Sequence, residues 1–79
     1  SLLAIGIHAV HGKFEKGDVV QICDADGNEL ARGLTNYSSE QVDQIKQLQT
    51  AEISKVLGHC PYQAVVHRDN MALTVDLPI

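Results

Sequence analysis

Tryptophan is absent from this 79-residue chain, and aromatic residues of any kind are scarce: Phe14, Tyr37 and Tyr62 are all there are. So few rings exclude an aromatic platform on which successive bases of a single strand could stack. Cysteine is nearly as rare. Cys23 and Cys60 lie far apart in sequence, whereas a small secreted domain stapled by disulfides carries four or more. A reduced, cytoplasmic setting is the expectation. Basic charge is short too. Six Lys and Arg face ten Asp and Glu, for a net charge of -4. Nucleic-acid binders show the opposite balance, because neutralising phosphates dominates their affinity. Lys13, Lys16, Arg32, Lys46, Lys55 and Arg68 stand singly, with no basic run. No apolar stretch approaches the roughly 20 residues that span a bilayer, and Leu2 to Val10 has neither the basic start nor the cleavage pattern of a signal peptide.

What is present suits one small folded domain. Hydrophobic residues make up 44% of the chain, enough for a globule rather than a disordered tail. At this length only about 60% of the unfolded surface is buried, so such a domain is marginal alone.

Leu2 to Val10 (LLAIGIHAV) is expected to form a buried strand, with Leu3, Ile5 and Ile7 on one face and Gly6 marking a bulge or a close backbone approach. Gly17-Asp18 reads as a turn. Val19 to Cys23 (VVQIC) reads as a second strand. The segment from Asp24 to Asn28 contains Asp26-Gly27, a pair that tolerates the positive φ of a hairpin turn. Glu29 to Thr35 returns as a third strand, on which Ala31 and Gly33 share a face with almost no side-chain volume. Close packing is expected against them.

The period then changes. Ser38 followed by Gln41 has the spacing of a capping box, and Val42, Ile45 and Leu48 follow at helical intervals. Thr50 has the chemistry of a second N-cap. The segment from Ala51 to Leu57 places Ile53, Val56 and Leu57 on one face, and Gly58 is a C-terminal stop. Two short helices are expected. Ala64 to His67 and Met71 to Val75 read as strands around an Arg68-Asp69-Asn70 corner, with Asp76 to Ile79 as a tail. Mostly antiparallel strands with a helical pair predict an α+β domain built as a small, incompletely closed barrel.

Several chemical patterns dissolve on inspection. His67-Arg68-Asp69 copies the start of a protein-kinase catalytic loop, but that loop needs Asn five residues after the Asp, and position 74 is Thr. Asp69 and Asn70 read as corner residues that bond nearby backbone. Asn36-Tyr37-Ser38 fits a glycosylation sequon, yet Ser38 is accounted for as a helix cap. His8, His11, His59 and Cys60 lack the two close pairs of a structural zinc site. On a strand His8 and His11 would point to opposite faces. Cys60 beside His59 reads as a packed thiol rather than an activated one. The glycine turns lack the context of phosphate loops, and no carboxylate pair stands out as an acid and base. The residues by themselves describe a binding, regulatory or structural module without catalytic, cofactor or metal residues.

The run Ser1-Leu2-Leu3-Ala4-Ile5-Gly6-Ile7, then Gly12-x-Phe14-x-x-Gly17-Asp18-x-Val20-x-Ile22 and Asp24 through Leu34, resembles a PUA domain. Asn36-Tyr37-Ser38-Ser39, Ile53 to Gly58 before Cys60-Pro61-Tyr62, and Val66-His67-Arg68-Asp69-Asn70-Met71 narrow the resemblance to the C-terminal PUA domain of bacterial glutamate 5-kinases. It implies a PUA-like pseudobarrel over residues 1–75, with 76–79 as a tail. PUA domains of this kind open with a strand and helix ahead of the Ser-Leu-Leu run, so the chain resembles a domain lacking that opening. Leu2 to Val10 and the Ala31/Gly33 face are then the surfaces expected to be uncovered, and pairing with another chain, whether as a homo-oligomer or by swapping an element, is expected to cover them.

The resemblance also implies a parent enzyme that phosphorylates the γ-carboxylate of glutamate with ATP and magnesium in proline synthesis. The catalytic amino-acid-kinase domain of that parent would be this module's partner. The resemblance leaves Gly17-Asp18 as the turn into the second strand. An RNA-binding PUA module of an RNA-modifying enzyme is the competing implication, with Lys13, Lys16, Arg32 and Arg68 as its candidate contacts. A stand-alone interaction domain is a third.

Overall fold

The computed structural model describes residues 1–73. Five strands and two helices run in the order β1 (Leu2–Leu3), β2 (Val19–Cys23), β3 (Glu29–Leu34), α1 (Ser39–Ile45), α2 (Thr50–Leu57), β4 (Ala64–Val66) and β5 (Met71–Leu73), with 3₁₀ turns at Ala4–Gly6 and Arg68–Asn70. All strand pairs are antiparallel. One sheet pairs β1 with β4, and the other has the order β2-β3-β5. The two sheets and both helices close on one core of Ala4, Tyr37, Val42, Ile45, Ile53, Val65 and Val66. This is a small α+β architecture of antiparallel strands and two helices, that of a PUA-like fold.

The hairpin forms where expected. Asp24 organises its turn by accepting the main-chain N–H groups of Asp26 and Asn28, each at 2.9 Å. Gly27 sits at φ 84°, in the left-handed region that glycine enters without a Cβ penalty. Asn28 N–H, followed by the other turn amides, holds the Asp24 carboxyl below its usual range. At the other end of β2, Gly17 takes φ 92° and donates its N–H to the Thr35 carbonyl at 2.8 Å.

Gly33 is the close approach that β3 was expected to contain. A Cβ there would stand 2.5 Å from Val66 Cγ1 and 2.7 Å from the Asn70 carbonyl oxygen. Only a hydrogen lets the two sheets meet at that point. Ala31, 2% exposed, lies on the same covered face. The expectation of an uncovered small-residue face is therefore corrected: β4 and β5 cover it.

The Leu2 to Val10 strand is the main correction. Only Leu2 and Leu3 pair, with Val66 and Ala64, and their register shifts between them. The chain then turns through Ala4–Gly6. That turn buries Ala4 and leaves Leu3 and Ile5 42% and 50% exposed, so Leu3, Ile5 and Ile7 do not form a buried face. Its cause is visible in the Ala4 carbonyl, which accepts N–H groups from Ile7 at 3.0 Å and from Gln47 at 2.8 Å. Gly6 is neither a bulge nor a close approach, since no atom lies within 4 Å of where its Cβ would stand.

Helix α1 carries the full capping box: Gln41 N–H donates to Ser38 Oγ, and Ser38 N–H donates to Gln41 Oε1. Helix α2 ends at Gly58, which is left-handed at φ 82°. Its N-cap is Gln49 rather than Thr50. Gln49 is extended and makes no side-chain cap bond, and its carbonyl closes the first turn with Glu52 N–H. Ile53 and Leu57, four apart, set the buried stripe of α2, which leaves Val56 48% exposed rather than packed beside them. The Met71 to Val75 strand is seen as Met71–Leu73; its last residues and the tail lie outside the described residues.

Candidate functional site

The densest polar constellation is the loop between β3 and α1, Asn36-Tyr37-Ser38-Ser39, and all four residues are spent on holding the fold. Asn36 clasps β4 twice: its N–H donates to the Val65 carbonyl at 2.8 Å and its Nδ2 to the Ala64 carbonyl at 3.0 Å. Tyr37 is 1% exposed. Its hydroxyl donates to the Tyr62 carbonyl and accepts the Tyr62 N–H at 3.2 Å. Thr35 Oγ1 accepts Tyr37 N–H at 3.2 Å and donates to the Tyr37 carbonyl at 2.7 Å. Ser38 caps α1. Ser39 N–H and Oγ both donate to the Phe14 carbonyl, at 2.9 and 3.3 Å, and Oγ accepts Phe14 N–H at 3.2 Å. Four consecutive residues thus tie β4, the 59–63 loop, α1 and the 12–16 loop together. Burial raises the Tyr37 phenol pKa, against the opposing effect of the Tyr62 main-chain N–H that its oxygen accepts.

Around this clasp the tyrosine rings meet edge to face, 5.9 Å apart at 88°. Lys16 Nζ lies 4.6 Å from the centre of the Tyr62 ring, a cation–π distance. Cys60 Sγ donates to the same Tyr62 carbonyl at 3.3 Å. Its thiol is half-buried and turned to the main chain.

Two shallow clefts flank β4 and β5. One, of 330 Å³, lies among Val19, Arg32, Leu34, Asp69, Asn70 and Ala72. The other, of 410 Å³, has Ser1, Leu3, Asn36, Tyr62, Gln63 and His67 in its walls. Of the candidate basic contacts Arg32 lines the first of these clefts, and Lys16, Arg32 and Arg68 each have a partner within the molecule. Arg32 pairs with Glu29 through Nε. Arg68 Nε is 3.9 Å from Asp69 Oδ1. Lys16 covers Tyr62, and Lys13 is exposed in the preceding loop.

The Arg68–Asn70 corner is a 3₁₀ turn. The expectation that Asp69 and Asn70 side chains bond the backbone is reversed: His67 Nδ1 accepts Asp69 N–H at 3.2 Å, and the His67 carbonyl accepts Asn70 N–H at 2.9 Å. His8, placed outside any strand, bonds Gln47 Nε2 through Nδ1 at 2.8 Å. Among the described residues no three His, Cys, Asp or Glu side chains gather where a metal could be held, and no helix is long and apolar enough to cross a membrane. Sequence reasoning missed Lys16 over Tyr62 and the Gln47 link, for neither leaves a periodic trace. Gln47 takes φ 66°, unusual for a residue with a Cβ, as it turns its N–H to the Ala4 carbonyl.

Residues 1–57 match the PUA domain family. Over 73 residues, 92% of this chain, it is 53% identical to the glutamate 5-kinase of Synechococcus sp. (strain JA-2-3B'a(2-13)). It is 49% identical over 73 residues, again 92% of the chain, to that of Nostoc punctiforme. Identity to the Dictyoglomus turgidum glutamate 5-kinase is 50% over 74 residues, 94% of the chain. The matched part is the C-terminal region of these relatives, and the chain spans about a fifth of their length, 20% in each case.

Proposed function

Because this chain belongs to the PUA domain family, and the relatives it matches are glutamate 5-kinases, we propose that it is the accessory, non-catalytic module of such a kinase, acting through contact with the rest of that polypeptide. On this reading residues 1–75 are the module and 76–79 a tail. ATP, magnesium and glutamate belong to the amino-acid-kinase part, the parent works in the cytoplasm in proline synthesis, and this chain supplies assembly or regulation.

The observation that carries the reading is how the polar chemistry is used. The Asn36–Ser39 clasp directs its donors and acceptors at the chain's own backbone. Lys16, Arg32 and Arg68 are engaged with Tyr62, Glu29 and Asp69. An RNA reader needs cations free to face phosphates, and a net charge of -4 works against it.

The test is a pair of titrations. The remaining four-fifths of a glutamate 5-kinase relative, added to this chain, is expected to give saturable binding by calorimetry. A structured RNA is expected to bind weakly and with steep salt dependence. Reversing the charge of Lys13, Lys16, Arg32 and Arg68 should flatten that slope. Sub-micromolar RNA binding insensitive to salt, with no binding to the kinase part, would overturn the reading.

A further inference from the structure

The tip of the β2-β3 hairpin holds two aspartates in opposite situations. The Asp24 carboxylate is tied down. Its Oδ1 accepts Asp26 N–H and Asn28 N–H, each at 2.9 Å, and its Oδ2 accepts Asn28 Nδ2–H at 3.3 Å. The main chain closes the same turn. Gly27 N–H donates to the Asp24 carbonyl at 3.1 Å, and Asp24 N–H to the Asn28 carbonyl at 3.0 Å. The Asp26 carboxylate, by contrast, has no partner among the described residues. It is exposed, as is the whole tip from Asp24 to Asn28.

Asp26 is also followed by glycine, as no other Asp or Asn of the chain is. An aspartate Cγ and the next residue's amide nitrogen are the two ends of a five-membered ring. Any residue other than glycine shields that nitrogen with a Cβ. At Gly27 there is none, and no atom lies within 4 Å of where one would stand. What restrains the nitrogen is its hydrogen bond to the Asp24 carbonyl. That bond is held in turn by the two main-chain N–H groups on either side of it, both of which the Asp24 side chain accepts.

We propose that Asp26-Gly27 is a site of spontaneous covalent modification, closing to a cyclic imide and reopening as isoaspartate, and that the Asp24 clamp sets its rate. In the first step the Gly27 nitrogen bonds to Asp26 Cγ. The amide proton and the hydroxyl of the protonated carboxyl leave together as one water. In the second step a water adds back to the imide. Breaking the bond from nitrogen to Cγ restores aspartate. Breaking the bond from nitrogen to the Asp26 main-chain carbonyl carbon leaves the chain running through Cγ, one carbon longer. The imide has no N–H, so the bond to the Asp24 carbonyl is lost. The longer product also alters the span that Asp24 Oδ1 bridges between Asp26 and Asn28. The inference stands apart from the glutamate 5-kinase reading, since it uses only the hairpin tip.

The test is to hold the chain in heavy-oxygen water at neutral pH for weeks, then digest it and read the peptides by mass spectrometry. Each passage through the imide leaves one heavy oxygen at Asp26, and the isoaspartyl form is counted by methylation with an isoaspartyl methyltransferase. The folded wild type is expected to gain both marks at Asp26 ahead of every other aspartate. D26E, whose ring would be six-membered and slower to close, should gain neither. D24A, with its fold checked by circular dichroism, should gain them severalfold faster than the wild type, because the clamp on the turn is gone. In concentrated urea D24A and the wild type should gain them at one rate. A folded chain that stays unmarked while the urea-unfolded chain is marked would overturn the proposal. So would marks spread evenly over the aspartates, or equal rates for folded D24A and folded wild type.

Discussion

Gly33 and Tyr37 are the two residues at which a single atom decides the most. At Gly33 a methyl group would meet Val66 Cγ1 and the Asn70 carbonyl oxygen at separations shorter than Cβ atoms adopt. The Val66 side chain has no room to yield, being 0% exposed. G33A is therefore expected to destabilise by about 1–3 kcal/mol, the usual cost of overpacking, read as a lower urea midpoint.

Tyr37 acts through its hydroxyl. Y37F removes the donor to the Tyr62 carbonyl and the acceptor of the Tyr62 N–H, and should cost about 1–3 kcal/mol because the N–H is left unpaired. It should also change the alkaline limb of stability. Tyr37 in the fold ionises above the value of about 10 that the unfolded chain shows, because it is buried. Above pH 10 the unfolded state releases a proton that the folded state keeps, so stability present below pH 10 is lost as pH rises. Urea midpoints measured from pH 8 to pH 11 should fall for the wild type and fall less for Y37F. Parallel curves would show that Tyr37 is not the group responsible.

Among the elements, α1 depends on a local device and can be tested locally. S38A removes the acceptor for Gln41 N–H and should cost about 1 kcal/mol, the usual worth of an N-cap; thermal unfolding followed at 222 nm reads it. A midpoint unchanged by S38A would mean that packing of Val42 and Ile45 alone holds the helix.

This helix, with the β2-turn-β3 hairpin and the Gly58 stop, was legible in the sequence because each is announced by residues adjacent to it: Ser38 and Gln41, Asp26-Gly27, Gly58. Leu2 to Val10 was not. Its alternation of apolar residues is that of a strand, but its conformation is set by a contact with Gln47, forty-odd positions away, which turns the chain at Ala4. The stripe of α2 was misjudged at Val56 for a related reason. Three apolar residues in one turn leave open which two the core accepts, and the answer lies with the core they meet rather than in α2 itself. The Asn36–Ser39 loop was legible only as a resemblance, since its bonds run to the backbone of Phe14, Tyr62, Ala64 and Val65, which no local pattern connects.

For the molecule as a whole, charge and polar chemistry point the same way. The net charge of -4 and the scattered cations were plain from composition, and the structure adds that Arg32 and Lys16 are already engaged. The polar side chains that looked chemically promising, among them His67, Cys60 and Asn36, are turned to the chain's own backbone. That use of the polar side chains supports the non-catalytic role proposed above. The most direct test is glutamate-dependent ADP formation by the purified 79-residue chain with ATP and magnesium, beside the remaining four-fifths of a glutamate 5-kinase relative assayed alone. A non-catalytic role predicts no glutamate-dependent ADP from this chain and measurable turnover from the remainder; glutamate-dependent ADP formation by this chain itself would contradict it.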